Sequence, residues 1–386
     1  MTAGLAGDPV ELSRTLSQRL AIARRLGDEK SFADAILAQL QRDRLLWAPA
    51  PKDKGGLQLS LGDTARVTFN IARLSGSAGL IYAMHMSQVL SILRHGGDSA
   101  FFTAFLKRMA QDQVLVASGT SEKGVGGDIF GSVCTIEDAP DGGSMVTKEC
   151  PNISYLDHAG AVLVSAMRIE PNGHKSQVLI AAEMNRMELQ PGPDIGFIGM
   201  RGILNRPYLF TAAFPNEAIF EEKFPVIARE TMTPSIHIFW AALWSGIASS
   251  ALDRVKAFLA KELKADKSLG EIMGYELSRL VDRHHTMNAL IRDAIADFDQ
   301  SRDGIGAAMG LAHTARVKRL KVVCSELLEE ICQGALSLIG IRGYAQDGPY
   351  SLSEPLRDAM SARVMISNYR LLTSNAVVER FVDEGP

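Results

Sequence analysis

The chain has 386 residues, 46% of them apolar and 22% charged, and a formal net charge of −3. That length exceeds what one hydrophobic core fills, so two or three domains sharing interfaces are expected. The ordinary composition excludes disorder, and the even spread of charge leaves no electrostatic footprint for nucleic acid or anionic lipid.

Apolar residues recur at helical spacing from Pro9 to about Asp43, so helices open the chain. An extended Leu45–Pro51 piece and a Lys54-Gly55-Gly56 turn follow, then three more helices to about Asp112. From Gln113 to about Ile227 the pattern changes to short β-branched runs such as Val114–Val116, Val162–Val164 and Val178–Ile180. The turn signals between them are close, with no helical crossover, which predicts an antiparallel meander or barrel. Thr233-Pro234-Ser235 reads as a helix cap, and four long helices are expected after it: Ile236–Lys264, Ser268–Gln300, Ile305–Leu338 and Leu356–Phe381.

The expectation is an α+β chain: a helical bundle over 1–113, an antiparallel β-domain over 114–228, and a four-helix bundle over 229–386. Cys134, Cys150, Cys324 and Cys332 lack metal or disulfide spacing, so reduced thiols and no metal site are expected. The chain start has no signal-peptide pattern. No apolar run is read as reaching the roughly 18 residues that span a bilayer, and Ile236–Ala251 reads as a buried helix. A cytoplasmic protein follows as the expectation.

Chemistry concentrates at Ser118–Asp128, where four glycines and several hydroxyl residues follow a strand and backbone N–H groups can approach a ligand. By itself this is also what a plain hairpin loop looks like. Other segments decide the matter. Ser121-Glu122-Lys123-Gly124-Val125-Gly126-Gly127-Asp128 resembles the Thr-Glu-Pro-x-Ala-Gly-Ser-Asp loop of the acyl-CoA dehydrogenase superfamily, with Lys123 for proline and Gly127 for serine. Asn152-Ile153-Ser154, with Lys148 upstream, resembles the family's Trp-Ile-Thr without its tryptophan. Gly199–Gly202, Leu338–Tyr344 with Pro349, Arg357-Asp358-Ala359 and Pro51–Leu57 also resemble family signatures, in the family's order.

The resemblance implies FAD, with FMN or a transiently bound reduced flavin as alternatives. It places Ser118, Thr120, Ser121, Gly126, Gly127, Asn152, Ile153 and Ser154 about the flavin, and Ser337, Gly340 and Ile341 near its adenine or pyrophosphate end. It also implies a homodimer or homotetramer, a small-molecule or acyl-CoA substrate, and an electron-transfer flavoprotein or flavin reductase as redox partner.

Two departures matter. The family's glutamate base falls on Ile366 or Thr373, depending on the anchor, and the alternative position on an earlier helix falls on Phe239. None is an acid. His85, between two methionines, is a further candidate for proton exchange, or else a satisfied core residue. The second departure is Asp266, which stands where the family has an arginine on the flavin pyrophosphate. Three readings remain: a dehydrogenase with an unusual base, a flavin monooxygenase or N-oxygenase that needs no α-proton abstraction, and a catalytically silent binding subunit.

Overall fold

The computed structural model describes residues 8–16, 28–140, 142–265, 270–303 and 310–381. Helices α1 (Pro9–Arg14) and α2 (Glu29–Arg42) each start on an aspartate, whose carboxylate accepts from Val10 N–H at 2.9 Å and Ser31 N–H at 2.8 Å. Helices α3 (Leu61–Ala72), α4 (Gly76–His95) and α5 (Ala100–Asp112) start the same way on Ser60, Ser75 and Ser99. Such oxygens satisfy an N–H that a helix leaves without an acceptor.

The strands are β1 (Leu115–Gly119), β2 (Ile136–Asp138), β3 (Ser144–Ser154), β4 (Ala159–Ile169), β5 (Lys175–Glu183), β6 (Met187–Pro191) and β7 (Asn205–Phe214). They form two sheets, ordered β1-β4-β5 and β2-β3-β7-β6. The antiparallel expectation needs one correction, because β1 runs parallel to β4. After β1 the chain crosses to the other sheet, forms the β2–β3 hairpin and returns as β4, so the parallel pair needs no crossover helix. β4 is the central strand of its sheet, and Ala161–Ala166 are buried throughout, the pattern of a strand covered on both faces.

Helix α6 (Phe224–Ile227) runs through a five-residue π-turn, Ala228–Met232, into α7 (Thr233–Ala265). The expected cap at Thr233 is therefore corrected to a continuous helix. Pro234 has no N–H for the Glu230 carbonyl and would crowd it in a regular helix. The π-turn relieves this, and Arg94 donates to that carbonyl at 3.4 Å. The helix Phe224–Glu262 is long and apolar enough to cross a membrane, which corrects the expectation that no stretch is. Within this fold 83% of its most apolar window is buried, packed against α3 and α4 and against the two long helices that follow.

Those are α8 (Gly270–Asp303) and α9 (Leu311–Ile339), and α10 (Ile341–Tyr344), α11 (Ser353–Ala362) and α12 (Asn368–Val378) complete the chain's described elements. α9 packs on α7, α8, α11 and α12. The single helix expected over Leu356–Phe381 is corrected to two, α11 and α12, with a turn at 363–367 between them. This break positions the candidate site.

Candidate active site

The loop that leaves β1 is built on left-handed glycines. Gly124, Gly126 and Gly127 have φ of +92°, +59° and +78°, a region that a side chain would strain. Nothing lies within 4 Å of a Cβ placed on Gly124 or Gly126, and the nearest atom to one on Gly127 is Arg370 Nη1 at 3.0 Å. The loop thus presents bare backbone. Its base is fastened: Ser118 and Thr120 hydroxyls lie 3.1 Å apart, Ser121 Oγ donates to the Asn152 carbonyl at 2.9 Å, and the Cys150 thiol donates to the Ser121 carbonyl at 2.9 Å.

A β-bulge brings Asn152 there. Between Cys150 opposite Tyr208 and Ile153 opposite Arg206, two residues of β3 face one of β7. Pro151, which has no N–H for the ladder, sits in the extra step. Asn152 turns off the ladder, its Nδ2 3.4 Å from Asn205 Oδ1, while its Oδ1 is buried without a partner among the described residues. Ser154 Oγ donates to the same Asn205 Oδ1 at 2.7 Å, and Ile153 is buried in the core. Ser121, Asn152 and Ser154 are therefore neighbours, although the Ser121 and Ser154 hydroxyl protons are already engaged within the chain.

Under the loop lies a buried ion pair that sequence reasoning missed. Glu122 accepts from Ser132 Oγ at 2.6 Å, Cys134 N–H at 2.7 Å and Val133 N–H at 3.2 Å. Its Oε2 is 3.4 Å from Lys148 Nζ, whose side chain is fully buried and donates to the Ser165 carbonyl at 2.6 Å and Oγ at 3.0 Å. Burial raises the Glu122 carboxyl, but Ser132, the Lys148 ammonium and the two N–H groups outweigh it and hold it below its ordinary value. A Glu and a Lys 26 positions apart carry no local signal for such a pair.

The C-terminal turn comes to the same place. Arg370, in the first turn of α12, donates to the Gly126 carbonyl at 3.0 Å. Just before it, Lys321 on α9 reaches from the core to the Ile366 carbonyl and to Asn368 Oδ1, the latter at 2.6 Å, and burial pushes its ammonium down to about 8. Asn368 in turn donates to Ser325 Oγ at 2.9 Å. Ile366 thus sits half-buried at a tethered turn, four residues before the arginine that reaches the glycine loop. Thr373 is exposed and bonds its own helix, donating to the Tyr369 carbonyl at 2.9 Å. Phe239 is buried in α7.

Of the two readings of His85, the structure bears out the satisfied core residue. Val116 N–H donates to its Nδ1 at 3.0 Å and its Nε2 lies 2.7 Å from the Leu46 carbonyl, so Nε2 carries the proton and both nitrogens are taken. Burial holds it neutral, pushed down to about 4. It ties α4 to β1 and has no nitrogen left for proton exchange.

Ser337, Gly340 and Ile341 lie at the far end of α9, where bonds are local: Ser337 Oγ donates to the Gln333 carbonyl at 3.1 Å and Gly340 N–H to the Leu336 carbonyl at 2.7 Å. Gly340 has φ +67° with open space at its Cβ position, and Ile341 is 80% exposed. Within one chain these three make no described hydrogen bond to the glycine loop.

The Gly199–Gly202 segment meets Arg357-Asp358. Met200 N–H donates to Asp358 Oδ1 at 2.6 Å, and a Cβ on Gly199 would stand 2.1 Å from the Arg357 carbonyl oxygen, so only glycine permits this approach. Burial pushes the Asp358 carboxyl up to about 8, with Glu354 adding to the rise.

Against this geometry, the model for the acyl-CoA dehydrogenase N-terminal domain matches residues 11–113 and that for the C-terminal domain matches residues 236–366. The chain belongs to the acyl-CoA dehydrogenase family. It is 23% identical over 313 residues to mitochondrial isovaleryl-CoA dehydrogenase of Arabidopsis thaliana, covering 80% of this chain and 74% of that one. Butyryl-CoA dehydrogenase from Megasphaera elsdenii superposes with a TM-score of 0.80 at 17% identity, over 96% of this chain and 97% of that one. Dibenzothiophene monooxygenase (TdsC) from Paenibacillus sp. A11-2 superposes with a TM-score of 0.79 at 16% identity, over 97% and 98%. At these identities the two structures establish the shared fold.

The three residues that the resemblance offers for the family's base, Ile366, Thr373 and Phe239, are not acids. The departure at Asp266 falls at 266–269, outside the described residues. A separate cavity of about 500 Å3, lined by Arg14, Asn70, Arg73, Ser250, Asp253 and Gly348 among others, has no glycine-loop residue in its wall.

Proposed function

We propose that this chain is a flavin-dependent oxidoreductase that carries out oxygen chemistry, a monooxygenase or N-oxygenase reaction, instead of α,β-dehydrogenation of an acyl-CoA thioester. The residues present fit a flavin. Three left-handed glycines leave bare backbone at the loop, and Asn152 Oδ1 is a buried acceptor with no donor beside it among the described residues, so a flavin N–H is a suitable partner. FAD is the first choice and FMN, or reduced flavin bound in passing, the alternative. When bound, the flavin supplies electron transfer and, reduced, reactivity toward oxygen. The residues that would hold it are those of the Ser121–Gly127 loop and the Asn152–Ser154 segment.

One observation carries the choice of reaction. Dehydrogenation of a saturated thioester needs a carboxylate within about 3 Å of the α-proton, and of the two family positions for it one falls on Ile366 or Thr373, depending on the anchor, and the other on Phe239. The dehydrogenase reading is the second, favoured by the curated relatives' names. A flavin reductase is the redox partner this account calls for, and a homodimer would bring the exposed Gly340–Ile341 turn to a neighbour's site.

Stopped-flow reoxidation tests the reading. Reduced FMN mixed with oxygen in the presence of one equivalent of protein is expected to follow a first-order course set by the bound flavin, with one hydrogen peroxide released per flavin reoxidised because no substrate takes the oxygen. A time course identical to that of free reduced FMN would count against it.

A further inference from the structure

We infer that Arg370 is the cation that holds the flavin's phosphate, supplied from within the same chain. The inference rests on the flavin reading above and adds to it the residue and the charge that would fix the cofactor's tail. Four observations bear on it. Arg370 lies 244 positions from Gly126, yet its guanidinium reaches back onto the glycine loop, donating to the Gly126 carbonyl at 3.0 Å and standing 3.0 Å from where a Cβ of Gly127 would be. Only one of its five N–H donors is committed by that bond. Among the described residues it has no carboxylate partner, and it is exposed at the loop surface.

The loop's other charges are engaged elsewhere. Lys123 pairs with Glu149 at 2.6 Å, Glu122 is buried against Lys148, and Asp128 Oδ1 accepts from Phe130 N–H at 3.0 Å. Arg229, the next guanidinium along, lies over the Phe130 ring at 5.5 Å. Among the described residues of this surface, Arg370 is the cation with neither an ion-pair partner nor a ring contact. Around it the backbone at Gly124, Gly126 and Gly127 is bare and left-handed, so amide groups can approach an anion without side-chain interference.

A guanidinium fork beside open backbone suits a phosphate, with its several acceptor oxygens, and not the uncharged ring of oxidised flavin. Gly127 is part of the fit: any side chain there would be strained at φ +78° and would press on the guanidinium. Asp266 replaces the arginine that relatives are expected to place on the pyrophosphate, and Arg370 restores a positive charge for the phosphate from a different helix.

Titration of the full chain with FMN and with riboflavin, followed by flavin fluorescence, separates the possibilities. Riboflavin carries the same ring and ribityl chain without the phosphate. Arg370→Ala is expected to weaken FMN about tenfold or more and to leave riboflavin within about twofold, with Arg370→Lys in between because a point charge replaces the fork. Raising the salt concentration is expected to weaken FMN binding to the wild type and to affect Arg370→Ala little. Equal loss of both flavins would make Arg370 a brace for the loop and overturn the inference, as would unchanged FMN affinity. If the wild type binds neither flavin, the flavin reading itself fails.

Discussion

Lys148→Met is expected to destabilise the fold by about 3–5 kcal/mol, read as a lowered urea midpoint, because it leaves the Glu122 carboxylate buried without its counter-charge. The side chains of both partners are sealed from solvent, with 0% and 4% exposure, so water cannot replace the ammonium. Glu122 would keep its bonds from Ser132, Val133 and Cys134. Those donors stabilise a carboxylate but do not neutralise it. The double variant Glu122→Gln/Lys148→Met removes both charges and is expected to be more stable than either single variant, since a removed pair costs less than a broken one. Additive losses would show that the two side chains act independently. The pH dependence has a definite sign. The folded carboxyl of Glu122 is held below its ordinary 4.5, so its contribution is complete above that value and lost as the pH falls through the folded pKa. The cost should also appear locally, because the pair underlies the loop that carries Gly124–Gly127.

Asp358→Asn is expected to abolish a loss of stability that the wild type suffers as the pH rises. In the unfolded chain this carboxyl titrates near 3.8, and in the fold burial pushes it up to about 8. Between those values the folded chain binds the extra proton, so stability falls with rising pH across that window and the loss is complete above about 8. Asparagine keeps an oxygen for the Met200 N–H and has no charge to desolvate. The variant should match the wild type near pH 4 and exceed it near pH 8.5 by on the order of 3 kcal/mol, less than the full pKa difference implies because the site relaxes around a charge. Chemical denaturation at the two pH values measures this. A parallel pH dependence in both proteins would place the titration elsewhere.

Much of the fold was legible because its cues are local. The serines at 60, 75 and 99 precede apolar helical periods, and the β-branched runs from Val114 to Ile180 lie between turn residues. The failures share a cause, which is that long-range partners decided them. The parallel pairing of β1 with β4 depends on a detour through the second sheet. Pro234 reads as a helix start unless Arg94 is known to receive the freed carbonyl. The break at 363–367 had a weak signal in Ser367-Asn368, both poor helix-interior residues, but Lys321, 45 positions from Ile366, is what tethers the turn.

The candidate site divides in the same way. Its glycine loop could be read directly, since Gly124, Gly126 and Gly127 take the left-handed conformations that glycine alone adopts freely. Asn152 could be named, although the bulge that turns it toward Ser121 comes from Pro151 facing Pro207 across β3 and β7. For His85 the sequence left proton exchange and core packing both open, because the two partners that decide it, the Leu46 carbonyl and the Val116 amide, lie on opposite sides of it in the chain. Glu122 with Lys148, and Arg370 with Gly126, were invisible to any local pattern.

If the proposed oxygen chemistry is the reaction, no carboxylate stands ready to take the α-proton of a saturated thioester, and such a thioester cannot reduce the bound flavin. The direct measurement is anaerobic addition of saturated straight-chain and branched acyl-CoA thioesters to the flavin-loaded protein, followed at the absorbance of the oxidised flavin, with dithionite as the control that the bound flavin is reducible. No bleaching by any thioester over many minutes and full bleaching by dithionite are expected. Rapid bleaching by a thioester would overturn the oxygen-chemistry reading and restore dehydrogenation as the reaction.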